Sequence, residues 1–379
     1  MLDLFAALAF WALLFGLAAH GIFLAAHGPA LDFGIYCRAA LRFLHAQPLY
    51  PEEDGPWVFK YAPAAAFFFA PLALLPVRLA NLIWNLSSVA ALGLSARELS
   101  LQADPRGWPR TRLFALLALA QPLLLELRYG QVDLMLLALL VFAIKHSRDR
   151  PALSGLLAAA AILLKPPALL VLAVFALRRH FRAIGATALS AAALWLPVFF
   201  RYGLHGTRVL AASWIETLAR TTLPWALGAN PQGLPTVLLG ALRSFQLEPS
   251  PRTLLAAQGF ALLVFTGVLW RVRDSAPRLL VAACAGAALL SPLCWRANLV
   301  LLFPMLALCP ARLFLLPLFV VGALVNEAVL SPEAFRAAMM WRPFFFSSAV
   351  ALAPLLFTAR AGGSPPGSAP DPSSRIHRA

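Results

Sequence analysis

Residues 4–26 read LFAALAFWALLFGLAAHGIFLAA and run straight into HGPALDFGIY at 27–36. The first stretch meets the ~20-residue length needed to cross hydrocarbon. It lacks a basic leading region and a small-residue cleavage site, so it reads as a retained span and not a removed signal. Asp32-Phe33-Gly34-Ile35-Tyr36 then follows, with Pro48-Leu49-Tyr50 further on. An acid placed where the first span leaves the bilayer needs a reason to be there, and Asp32 is the candidate catalytic base of a membrane enzyme that works on a lipid-linked substrate. A helix-end cap, or an ion-pair partner for Arg38 or Arg42, is the competing role for the same side chain.

Working outward, the rest of the chain is of the same kind. Of the 379 residues, 61% are apolar and 12% charged, and the mean hydropathy is +0.78. A soluble chain of this length carries roughly twice that charge. The net charge of +15 does not argue for nucleic acid, because arginines beside spans set topology and meet anionic lipid. Cys37, Cys284, Cys294 and Cys309 form no metal-binding spacing, and they read as core or interfacial thiols. No metal site and no cofactor is expected.

Basic clusters alternate with the apolar runs. Arg97, Arg106, Arg110 and Arg112 surround one polar gap, Lys145, Arg148 and Arg150 a second, and Arg178, Arg179 and Arg182 a third. Arg271, Arg273 and Arg278 mark a fourth, Arg312 a fifth, and Arg360, Arg375 and Arg378 lie in the tail. Placing them all on the cytoplasmic side satisfies the positive-inside bias. The chain then reads as an all-α polytopic protein with about twelve membrane helices. Their ranges are 4–26, 78–97, 111–128, 132–146, 152–165, 167–178, 183–200, 253–270, 278–292, 297–310, 312–330 and 344–359, with both termini cytoplasmic. The two spans flanking Lys165-Pro166-Pro167 are short for crossing separately, and the prolines allow a half-deep hairpin.

Two long segments, 27–77 and 201–252, fall on the outward side. In the first, the apolar run Ala64–Leu75 suits a short interfacial helix, and Glu52-Glu53-Asp54 reads as a solvated turn. The second holds Trp214, Trp225 and the turn Gly228–Gly233, and is apolar enough to dock on the bundle. Residues 1–360 form one membrane domain, and the Gly/Pro/Ser-rich 361–379 a disordered cytoplasmic tail.

The same topology gathers polar residues at the outward ends of spans: Asp32 and Tyr36; Glu126, Arg128, Tyr129, Gln131 and Asp133; Lys165; and Trp295, Arg296 and Asn298. Ionisable groups at membrane depth are costly and line functional cavities. Each has a plainer role as well. Lys165 suits snorkelling to the interface, Asp133 a helix cap, Arg296 an interface anchor, and Trp214, Trp225 and Trp341 an aromatic belt.

The ordered elements Asp32-Phe33-x-x-Tyr36, Pro48-Leu49-Tyr50, Phe59-x-Tyr61-x-Pro63 and Pro71–Pro76 resemble glycosyltransferase family 87, as do Gly130-Gln131, Lys165-Pro166-Pro167, Asn230-Pro231-Gln232 and Ser291-Pro292-Leu293-Cys294-Trp295. The resemblance covers about residues 1 to 330. It implies a GT-C bundle with extracytoplasmic loops, in the plasma (inner) membrane. It also implies a polyprenyl-phosphate sugar donor, mannose by the family's pattern, and inverting transfer to a glycolipid or glycan acceptor with Asp32 as base. Two elements depart from the pattern. Arg296-Ala297-Asn298 stands where the family often has histidine after the Ser-Pro-x-x-Trp element, and Asp133 where Asn usually follows Gly-Gln.

Transfer from a lipid phosphate needs a carboxylate to take the acceptor hydroxyl's proton, and fixed positive charge to stabilise the departing phosphate. Asp32 suits the first role. Lys165, Arg296, Arg128 and Lys60 are the candidates for the second, and Tyr36, Gln131, Asn230, Tyr61 and Trp295 for sugar or acceptor binding. A lipid or polysaccharide transporter or flippase is the alternative, but it would carry ionisable residues near mid-span and show paired broken helices.

Overall fold

The computed structural model describes residues 2–28, 30–101, 108–308 and 312–357. The predicted tail 361–379, Cys309 and Arg106 lie outside the described residues. Among those described, every regular element is helical.

The first span is α1 (Leu2–His27), and α2 (Leu31–Leu44) follows after Gly28 at φ +138°. A 3₁₀ turn over Glu52–Trp57 leads to α3 (Pro63–Ala73) and α4 (Val77–Ser100). Next come α5 (Trp108–Ala118), α6 (Ala120–Tyr129), α7 (Asp133–His146), α8 (Pro151–Leu164) and α9 (Leu170–Leu177). The longest helix, α10 (Phe181–Ala226), precedes α11 (Leu234–Ser244), α12 (Pro251–Arg271) and α13 (Ala276–Leu289). The chain closes with α14 (Phe303–Leu308), α15 (Leu316–Leu324), α16 (Pro332–Met340) and α17 (Pro343–Phe357). Proline opens many of these helices, at α3, α8 and α12 among others. At a first turn its missing N–H costs nothing and its fixed φ is already helical.

Four helices, α1, α4, α10 and α12, are long and apolar enough to cross a bilayer. Two bent pairs, α6 with α7 at 111° and α16 with α17 at 47°, bring the candidates to six. The remaining predicted spans resolve into shorter apolar helices such as α8 and α13, of 14 residues each. A helix of that length covers about 21 Å, short of the ~30 Å hydrocarbon core. Phe5, Leu8, Phe15 and Phe23 on α1 and Leu255 and Leu263 on α12 face outward, as a bilayer-facing surface requires.

The outward segment predicted over 201–252 is mostly helical. α10 continues to Ala226 and is broken only at Gly203, which takes φ +67° and ψ 178°. Glycine supplies that conformation without a Cβ penalty, so the break leaves helix on both sides. The short helix expected near 64–75 is present as α3. It packs Ala64, Ala65, Ala66 and Phe69 into a core shared with α2, so it is built into the bundle as well as short. In the Glu52–Trp57 turn, Asp54 is not simply solvated, because both of its oxygens accept from Arg42.

Candidate active site

A cavity of about 180 Å³ lies where the start of α2, the link over 56–61, the ends of α6 and α8, the end of α10 and the 291–298 segment meet. Its wall carries Asp32, Tyr36, Lys60, Tyr61, Gln131, Lys165, Trp295 and Asn298. Seven of the ten residues proposed from sequence, namely Asp32, Lys165, Lys60, Tyr36, Gln131, Tyr61 and Trp295, are thus brought to one place.

Local backbone chemistry explains how. Gly130 ends α6 in the left-handed region at φ +67°. A Cβ there would sit 2.7 Å from the Phe33 Cβ and 2.9 Å from the Ala30 Cβ. Only glycine allows both that turn and the close approach to α2. Trp84 Nε1 donates to the Gly130 carbonyl at 3.0 Å and pins the turn. The next residue, Gln131, then donates through Nε2 to Asp32 Oδ2. At the other wall, Lys165 precedes two prolines and is extended (φ −142°, ψ 111°), the conformation a following proline imposes. That ends α8 and frees the lysine side chain to turn inward.

Asp32 does not pair with Arg38 or Arg42, since both guanidinium groups go to Asp54. Nor does it cap α2 through its side chain. Burial pushes its carboxyl up to about 6, and Asp133 adds to the rise while Lys165 and Lys60 oppose it. Burial pulls Lys60 down to about 8, with Asp32 opposing. The Tyr36 and Tyr61 hydroxyls share a hydrogen bond of 2.9 Å. Burial pushes both well above the usual phenol range, so they stay protonated.

Lys165 is neither free nor snorkelling. Its Nζ donates to both oxygens of Asp133 at 2.6 and 2.7 Å. Asp133 is fully buried and also accepts from Asn298 Nδ2 at 2.6 Å. Asp133 does sit in the first turn of α7, where an acid suits the helix dipole, but its carboxylate goes to Lys165 and Asn298, and Val132 at the N-cap makes no side-chain bond. Glu126 serves that end of α7 instead, taking the Leu134 N–H at 2.9 Å.

Three proposed residues lie off the cavity wall. Arg296 is buried, but it donates to Glu327 at 2.8 Å and lies 4.7 Å from the Phe335 ring centroid, so its charge is already matched elsewhere. Arg128 is exposed on α6. Asn230 belongs to a turn whose carbonyls at Gly228, Ala229 and Pro231 are gathered by Arg342 Nη1 at 2.7 to 2.8 Å. That turn is a brace: Gln232 N–H donates to the Cys294 carbonyl at 2.6 Å and so fixes the segment carrying Trp295. Sequence reading missed Trp57 as a wall residue, left Asn298 without a role, and took Trp225 for a belt residue, yet Trp57, Trp225 and Asn298 all line the cavity. Nothing local distinguishes them, because their partners come from distant segments.

A separate apolar cleft of about 640 Å³ runs between α3, α4, α7 and α8, from Phe69, Trp84 and Leu164 to His146. Leu164 lines both spaces. Cys37, Cys284 and Cys294 are free thiols.

An all-helical membrane protein with a carboxylate, two lysines and aromatic rings around one pocket is what these features define. The family model for glycosyltransferase family 87 matches residues 59–295. The chain belongs to that family and is a membrane glycosyltransferase. It is 27% identical over 315 residues to a polyprenol-phosphate-mannose-dependent alpha-(1-2)-phosphatidylinositol mannoside mannosyltransferase of Mycolicibacterium smegmatis, a match covering 73% of this chain and 68% of that one. A polyprenol-phosphate-mannose-dependent alpha-(1-2)-phosphatidylinositol pentamannoside mannosyltransferase of Mycobacterium tuberculosis is 28% identical over 300 residues, covering 73% of this chain and 65% of that one. The protein described in the same words from Mycolicibacterium smegmatis is 38% identical over 120 residues, covering 30% of this chain and 28% of that one.

Proposed function

We propose that this enzyme moves a hexose, mannose by analogy with its relatives, from a polyprenyl-phosphate donor to a glycolipid or glycan acceptor in an inverting single displacement. The acceptor oxygen forms the new bond to the anomeric carbon as the bond from that carbon to the phosphate oxygen breaks. The acceptor's proton passes to Asp32, and the electron pair leaves with polyprenyl phosphate. Phosphate is already a good leaving group, so a second acid is not required. Lys60, and Lys165 through the N–H that Asp133 leaves unused, are the groups placed to meet the charge growing on it, and the cleft that begins at Leu164 is a dry path for the prenyl chain beside them. The cavity faces the extracytoplasmic side of the plasma membrane in this reading, with both termini cytoplasmic.

The observation that carries the proposal is Asp32 itself. It is a partly buried carboxylate to which, among the described residues, no cation is bonded, raised to about 6 and oriented by Gln131. A general base is most effective when its pKa lies near the working pH. Family membership does not favour the transporter alternative. The test is Asp32→Asn, purified in nanodiscs and assayed with polyprenyl-phosphate mannose and a phosphatidylinositol mannoside. Transfer should fall by about 10²- to 10⁴-fold with the unfolding temperature maintained. Wild-type transfer rates in the folded variant would remove Asp32 as base.

A further inference from the structure

Three tryptophans from distant parts of the chain meet on the cavity wall. Trp225, near the end of α10, lies 5.3 Å from Trp295 and 5.8 Å from Trp57, centroid to centroid. Lys60 Nζ stands 5.5 Å from the Trp225 ring centroid. All four side chains line the cavity that holds Asp32.

Other tryptophans here show what a structural indole looks like. Trp84 donates its Nε1–H to the Gly130 carbonyl, and Trp214 donates to the Lys60 carbonyl at 2.9 Å. Trp84 is buried and Trp214 half-buried. Among the described residues, no hydrogen bond occupies the Nε1–H of Trp57 or Trp225. Trp57 is 40% exposed and Trp225 and Trp295 are half-buried, with Lys60 over the Trp225 ring, so the wall keeps the Trp57 ring surface and the indole donors available. An aromatic belt at the bilayer surface has no need to line an interior cavity.

The chemistry of such a wall is specific. A pyranose offers one face of C–H groups and a rim of hydroxyls. Indole faces are electron-rich, and they pack on slightly positive C–H groups while adding large apolar contact at little entropy cost. The indole N–H groups and Asp32 supply polar contacts for the hydroxyl rim. A bare lipid alcohol would use none of this.

Position then separates acceptor from donor. The prenyl cleft meets the cavity at Leu164, beside Lys165, and none of Trp57, Trp225 or Trp295 lines that cleft. The donor's phosphate and tail are thereby assigned to the Leu164–Lys165 side, leaving the tryptophan wall to the other substrate. Resting on the transferase reading of this cavity, we infer that Trp57, Trp225 and Trp295 form the platform for a sugar ring of the acceptor.

The test uses the full chain in nanodiscs with polyprenyl-phosphate mannose as donor, and phosphatidylinositol and phosphatidylinositol mannoside as paired acceptors. Wild type should prefer the mannosylated acceptor at least about tenfold in kcat/KM. Trp225→Leu and Trp57→Leu should each raise the KM for that acceptor, about tenfold for Trp225→Leu, and leave the donor KM within about twofold. Trp225→Tyr should recover most of the loss, because it restores an aromatic face. Trp57→Leu alters an exposed ring, so it answers the question even where Trp225→Leu fails to fold. Equal use of the two acceptors, an unchanged acceptor KM, or a rise in donor KM instead would overturn the platform while leaving the transferase reading intact. Absence of wild-type transfer from the donor to either acceptor or to membrane glycolipid extract would overturn that reading, and the platform with it.

Discussion

The helix α7 carries a lysine–carboxylate pair at each end, and the two ends are alike in sequence but not in space. At its first residue, Asp133 is fully buried and holds Lys165 through both oxygens, with Asn298 on Oδ2 as well. Near its last residue, Lys145 bonds one oxygen of Glu98, and its side chain is 36% exposed. Both pairs match the helix dipole, acid at the N-terminus and base at the C-terminus. Burial is what differs. Glu98 is itself buried, with its side chain 9% exposed, but Lys145 reaches water, so that pair is screened from the lysine side and contributes less. The Asp133 pair is largely out of water, so removing either partner leaves a stranded charge. One pair sets the direction of a cavity lysine, and the other decorates an end where Lys145, Arg148 and Arg178 line a second cavity.

The largest expected effect separates the two lysines in function. Lys165→Ala should lower kcat/KM by about 10²- to 10³-fold, the usual cost of losing one donor to a developing oxyanion. Lys145→Ala should stay near wild type. Comparable losses in both would break the comparison. Next, Asp133→Ala should cost about 3 kcal/mol of stability, against at most about 1 kcal/mol for Glu98→Ala, read by chemical or thermal unfolding in detergent.

A pH profile sharpens the contrast at a smaller scale. As the proposed base, Asp32 would work only when ionised, and its carboxyl is raised to about 6. Activity should therefore climb with pH up to that value. Lys60 is lowered to about 8, so its charge is present below that value and lost above it, and activity should decline there. Lys60→Met should remove the upper limb, while Glu98→Gln should move neither limb. The smallest effect concerns salt. Double-mutant coupling between Lys145 and Glu98, below ~1 kcal/mol, should shrink between low and high ionic strength, whereas Asp133–Lys165 coupling should hold. Equal salt sensitivity would show the two pairs to be equally wet.

Much of the site was legible because its residues sit at breaks in an apolar chain. Asp32 follows the first span, Gln131 follows a glycine, and Lys165 precedes two prolines, so each is marked by a local rule. Arg296 satisfied the same positional rule and is nonetheless turned toward Glu327 and Phe335, because a charge's partner is chosen in space. Asn230 looked like a binding turn for similar reasons, and its turn proves to be tied down by Arg342, more than a hundred residues away. Asp133 resembled an ordinary helix cap. Its bond to Asn298 spans 165 positions, a separation at which pattern reading has no signal. The span count suffered from length. Apolar runs near the crossing threshold read as full spans, but proline and glycine cut several of them into helices of 14 residues or fewer.

By itself the sequence determined that this is a helical membrane protein, that many of its helices start at prolines, that the chain turns at Gly130, and that an acid waits beside the first span. Those properties follow from transfer energy and backbone sterics, which act within a few residues. Tertiary structure alone decided which cations face Asp32, that Asp133 aims Lys165, and that Trp57, Trp225 and Trp295 stand together. Those depend on electrostatics and packing between segments that only the folded bundle brings within a few ångströms.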